Sequence, residues 1–103
     1  MLRPVRSKRF DLATLAIDGS DVRIKYGDLL VVRHDGREDL DWECVVMPFD
    51  PSPLAVGAYR LTMLTLLEQL TIEGDAVLVR SVDGTHVLRG AGPPDGFEDD
   101  LLA

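Results

Sequence analysis

The chain reads as a mainly β protein: a small six-stranded antiparallel barrel or sandwich, made of two similar halves with pseudo-twofold symmetry. Three observations predict this. Asp-Gly pairs at 18–19, 35–36 and 83–84 each separate apolar, β-rich runs, and Asp-Gly supplies the positive φ angles of a tight type I′ hairpin. The runs between them are enriched in β-branched and aromatic residues, which favour strands. A pattern of Gly-Asp, four apolar residues, arginine and then Asp-Gly occurs at 27–36 and again at 74–84, offset by 47 residues.

The elements follow in order. Residues 10–17 form the first strand and end at Asp18-Gly19. Residues 22–33 read as one long strand interrupted at Gly27, and 40–47 as a strand closed by Pro48. The segment after Ser52-Pro53 is ambiguous. Serine followed by proline looks like a helix start, and Tyr59, Met63, Leu66, Leu67 and Leu70 could share a helical face. The repeat decides against a long helix. Phe10-Asp-Leu-Ala-Thr-Leu-Ala-Ile17 resembles Tyr59-Arg-Leu-Thr-Met-Leu-Thr-Leu66, and Asp18-Gly19 would break a helix in the first copy. Strands are therefore expected at 59–66, 70–82 and 85–90, with at most one short helix near 53–58. Gly27 and Gly74, inside long strands, are expected to mark a bulge or a sharp bend.

Gly27-Asp28 and Gly74-Asp75, each followed by an apolar strand, resemble the GD-box of cradle-loop barrels such as the double-psi barrel. The likeness covers about ten residues per half and implies a closed barrel.

The domain organisation follows from charge and punctuation. Residues 1–9 carry Arg3, Arg6, Lys8 and Arg9 and no acid, and read as a basic flexible arm. Residues 10–90 form a single β domain with halves 10–47 and 59–90 and a linker, 48–58, that holds three prolines. Residues 91–103 form an acidic tail with Asp95, Glu98, Asp99 and Asp100. With 103 residues, 46% of them hydrophobic and 28% charged, the chain can build one core and not two. No apolar run approaches the ~20 residues that cross a bilayer, and no apolar stretch follows the basic N-terminus as in a secretory signal. The expectation is a cytoplasmic protein with no membrane role. One cysteine excludes an internal disulfide framework. Nine arginines against two lysines suggest a GC-rich bacterial genome.

Few residues offer chemistry. Cys44 with His34 or His86 could make a thiolate nucleophile. However, Cys44 alternates with Trp42 and Val46 on the natural core face, so packing is its expected role. His34 adjoins Asp35-Gly36 in an exposed turn, and His86 opens a strand. No close ligand spacing marks a zinc site. The acidic run Asp35-Gly-Arg-Glu-Asp-Leu-Asp41 lacks the ladder and closing glutamate of a calcium loop. No metal and no cofactor are expected.

The expected function is a non-enzymatic interaction module that self-associates, as a homodimer for instance, or serves a partner protein. Its interface is expected around Leu61, Met63, Leu64, Leu66 and Leu67, whose run carries more apolar surface than a small sheet hides. The alternative is a ligand-binding barrel, with Trp42 lining the pocket and Arg33 and Arg80 clamping an anion. Each arginine could equally pair with a nearby acid. A third reading, weak nucleic-acid binding through the basic arm, is opposed by the net charge of −7.

Overall fold

Two of the expected hairpin turns take the geometry that Asp-Gly favours. Asp18 and Gly19 have φ of 51° and 81°, and Asp83 and Gly84 of 54° and 75°. Two consecutive positive φ angles define the type I′ turn, whose twist matches its flanking strands. In the computed structural model, which describes residues 5–34 and 39–102, these turns join β1 (Val5–Ile17) to β2 (Ser20–Val22) and β6 (Thr71–Val82) to β7 (Thr85–Gly90). The other strands are β3 (Ile24–His34), β4 (Leu40–Pro48) and β5 (Ala58–Thr65), and a short 3-10 turn covers Asp99–Leu102. Asp35-Gly36 and most of the acidic run lie outside the described residues.

The sheet order is β2-β1-β3-β4-β7-β6-β5, and β1 also pairs with β5. Six antiparallel strands therefore close a barrel, with β2 as an additional strand. Closure depends on β1 having two halves. Residues 5–11 pair with β3, residues 12–17 pair with β5, and the register with β5 shifts between Leu12 and Thr14. A bulge of this kind bends a strand and increases its twist, as a barrel corner requires.

Several expectations need correction. Residues 5–9 do not form an arm: they extend β1 and pair with β3 up to Val5↔His34. The long strand expected over 22–33 divides at Arg23 into β2 and β3. Residues 53–58 hold no helix; the linker is irregular, with bends at 49–50 and 56–57, and Leu54 packs against the core. The acidic tail folds back on the barrel. Asp95 bridges Glu73 through two backbone bonds of 2.9 and 2.7 Å, and Phe97 and Leu102 are buried. Gly74 marks no bulge; the shift between β6 and β7 falls at Leu78/Arg80. Gly27 does sit beside a shift, between Ile24 and Tyr26.

The interior is filled by side chains that alternate along each strand. Phe10, Leu15, Leu29, Val31, Trp42, Cys44, Val46, Leu61, Met63, Ile72 and Leu88 are all essentially inaccessible. Trp42 is the largest, and the glycines explain how it fits. A Cβ on Gly74 would lie 2.6 Å from its ring, and one on Gly90 would overlap the indole outright. Gly74 and Gly90 are thus the floor on which the indole lies. Phe97 closes the same region from the tail, edge-on to Phe10 at 6.0 Å.

Candidate functional site

The groups with the most chemical potential are spent on structure. Cys44 is buried in β4 beside Leu29 of β3 and Leu88 of β7. Burial, reinforced by the charges of Asp28 and Glu43, pushes its thiol pKa up to about 12. A thiol held protonated is neither nucleophile nor metal ligand. His86 is opposite Val46, two residues along β4 from Cys44, and its Nδ1 is engaged by Ser81 at 2.7 Å, while His34 is opposite Val5 at the far end of β3.

His86 belongs to a latch that holds the linker. Its Nδ1 lies 2.7 Å from Ser81 Oγ, and Ser81 Oγ accepts the Leu54 N–H at 3.1 Å. Burial lowers the His86 pKa, opposed by the charge of Asp50. In the neutral ring that burial favours, Nδ1 accepts the Ser81 hydroxyl in one tautomer and donates to Ser81 Oγ in the other. Ser81 Oγ thus joins the ring to the linker.

The expected arginine clamp does not form. Arg33 pairs in register with Leu40 and Arg6 and shares the inner-facing row with Val31. Arg80 pairs with Val87, beyond the Leu78/Arg80 shift, and is exposed. β3 and β6 lie across the barrel from each other, and with Arg80 exposed on the outside the two side chains are not brought together. Trp42 is buried, and its indole N–H donates to the Gly92 carbonyl at 2.8 Å; it fills the barrel instead of lining an internal pocket. Of the expected interface residues, Leu61 and Met63 are core and Leu64 is half-buried, while Leu66 and Leu67 are exposed in the β5–β6 turn. The error has one physical source. An alternating strand hides every second residue, and Leu61 and Met63 fall on the inward positions.

Two surface features remain. One is a groove of about 270 Å³ on the outer face of β3, β4 and β7, floored by Leu30, Val32 and the edge of Trp42 and rimmed by His34, Asp41, Glu43 and Arg89. His34 Nε2 lies 3.1 Å from Asp41 Oδ2 there. Among the described residues, no group of three or more His, Cys, Asp or Glu side chains is placed to hold a metal ion.

The second is an apolar strip on β6. Val77, Val79 and Val82 are 44%, 57% and 57% exposed, and Val56 of the linker is 92% exposed. Three of them adjoin: Ala58 pairs with Val77, and Gly57 accepts the Leu78 N–H at 3.0 Å, which sets Val56 beside Val79; Val82 lies further along β6, beyond exposed Arg80. The sequence held the signal for this strip, Val77-Leu-Val79 in strict alternation with an inward leucine, but the leucine-rich run of β5 outweighed it.

No protein-family model, curated protein or solved structure matches this chain. No helix among the described residues is long and apolar enough to cross a membrane.

Proposed function

We propose that this chain is a non-enzymatic β-barrel interaction module that pairs with a second copy of itself through the outer face of β6. The observation that carries this reading is the exposed strip of Val56, Val77, Val79 and Val82. Single exposed apolar residues need no explanation, but a row of them does. The valines carry no charge themselves, and charges of both signs interrupt and border them, with exposed Arg80 between Val79 and Val82. Arg89 is the register partner of Val77, Arg80 follows Val79, and Asp83 follows Val82. A two-fold contact needs a surface that complements itself, and valines set among charges of both signs meet that need.

The interior supports a non-enzymatic role. Its one thiol is held protonated, and its one buried histidine is engaged by Ser81. The test is light scattering across a dilution series. The wild-type chain is expected to elute as a dimer that dissociates on dilution, and Val79→Glu as a monomer with unchanged thermal stability. A wild-type monomer at every concentration overturns the proposal.

A second reading rests on the outer groove, whose rim combines Arg89 and His34 with Asp41 and Glu43. It fits a small ligand carrying both charges, held outside the barrel. Ligand retained through purification and lost in Arg89→Ala would favour it over the dimer.

A further inference from the structure

We propose that the free edge of β1, residues 5–10, takes up an extended acidic segment of a partner protein as an added strand. β1 pairs with β3 over residues 5–11, but its pairing with β5 begins only at Leu12↔Thr65. Asp11 accepts the Leu66 N–H at 2.7 Å, so the backbone groups of Asp11 point to the β5 side. The register with β3 runs without a shift from residue 5 to residue 11. Successive residues of a strand alternate the direction of their backbone groups. The N–H and C=O of Ser7 and Arg9 therefore point the same way as those of Asp11, beyond the end of β5. Among the described residues no strand pairs with them there; the 3-10 turn Asp99–Leu102 packs against β1 but makes no backbone bond to Ser7 or Arg9.

An unpaired edge is a template for a further strand. Here the side chains choose the occupant. Arg6, Lys8 and Arg9 are exposed along it, in the half of the chain that concentrates the bases. Residues 1–37 hold eight bases and five acids, a net of +3, and residues 38–103 hold three bases and thirteen acids, a net of −10. A second copy of the same edge fits badly. Antiparallel self-pairing about Ser7 sets Arg6 against Lys8, and about the Ser7–Lys8 bond it sets Arg6 against Arg9. Like charges directly opposite each other destabilise a ladder. An acidic strand meets the same side chains with opposite charge and gains both backbone bonds and cross-strand ion pairs. This edge is separate from the valine strip of β6, so its occupancy is independent of dimerisation.

The probe is a fluorescein-labelled alternating Glu-Val peptide, with Lys-Val and Glu-Pro peptides of the same length as controls, titrated into the full chain. Salt-sensitive binding of Glu-Val alone is expected. Glu-Pro keeps the charge but loses every second backbone donor and holds φ at about −65° at those residues, away from ladder geometry. Ser7→Pro removes an edge donor and leaves the β1–β3 bonds in place, because the Ser7 N–H faces away from β3; it is expected to weaken binding roughly tenfold, as loss of about one hydrogen bond does. A readout on the unmodified chain accompanies it. Amide exchange at Ser7 and Arg9 is expected to be fast in the free protein and slowed by the peptide. No binding of Glu-Val, equal binding of Glu-Pro, or unchanged exchange at Ser7 and Arg9 overturns the proposal.

Discussion

The indole N–H of Trp42 donates to the carbonyl oxygen of Gly92 at 2.8 Å, which joins the centre of the barrel to the segment that leads into the C-terminal tail. The largest core side chain thereby gains a partner for its one polar atom, and the chain beyond β7 is anchored where it must turn back over the barrel. The ring rests on Gly74 and Gly90. Gly74→Ala introduces a methyl 2.6 Å from the ring and is expected to cost about 1–3 kcal/mol, the range for overpacked cores. Trp42→Ala removes the plug itself, with an expected loss of about 3–5 kcal/mol. Denaturant unfolding measures both, and Trp42 fluorescence reports whether the ring in Gly74→Ala has moved toward solvent.

The tail is expected to be part of the fold's stability. Phe97 and Leu102 are buried, and Asp95 joins Arg60 at 3.0 Å. The ion pair is solvent-exposed, and exposed pairs contribute little; the apolar contacts carry the energy. Phe97→Ala is expected to cost roughly 2–4 kcal/mol, and Arg60→Ala much less. Equal effects in thermal unfolding would show that charge, and not burial, holds the tail.

These two results frame what could be read from the sequence. Strand positions were legible because Asp-Gly turns and alternating apolar residues are local signals. The Gly-Asp pattern placed β3 and β6 correctly, although the glycine of the second copy serves the indole of Trp42 and not a bend. What could not be read is non-local. Nothing in residues 1–9 says that β3 is longer than β5 and leaves a partner for a basic strand. Nothing in an acidic tail with two prolines says that Phe97 will meet Phe10. The arginine clamp failed for a related reason: one shifted residue at Leu78/Arg80 turns a side chain to the other face of a sheet, and sequence likeness does not report such shifts.

Cys44 gives a direct assay of the core. Its thiol is buried and its pKa is pushed up to about 12, so reaction with a thiol reagent at neutral pH requires the barrel to open. The expected rate in native conditions is the solvent-exposed rate multiplied by the open fraction, and it should rise in parallel with unfolding as denaturant is added. A native-state rate near that of a free cysteine would place the thiol at the surface.

The pH dependence should reveal the Ser81–His86 latch. Burial lowers the His86 pKa in the fold below its ordinary 6.5, with Asp50 opposing the shift. Between the lowered value and 6.5 the unfolded chain binds a proton that the folded chain refuses. The unfolded state then holds more protons, and stability rises with pH across that window. Stability from this group is fully present above 6.5 and is lost as pH falls toward the folded value. In the protonated ring Nδ1 can only donate to Ser81 Oγ, and a charge is placed in the buried latch. The melting temperature is therefore expected to fall as pH drops from 7 toward 5.5, and amide exchange at Leu54 to quicken over the same range, because its acceptor is Ser81 Oγ. His86→Gln keeps a polar side chain that cannot titrate there. It is expected to flatten the dependence, with lower stability at pH 7 because the ring's packing is gone. An unchanged slope in His86→Gln would assign the titration to another group.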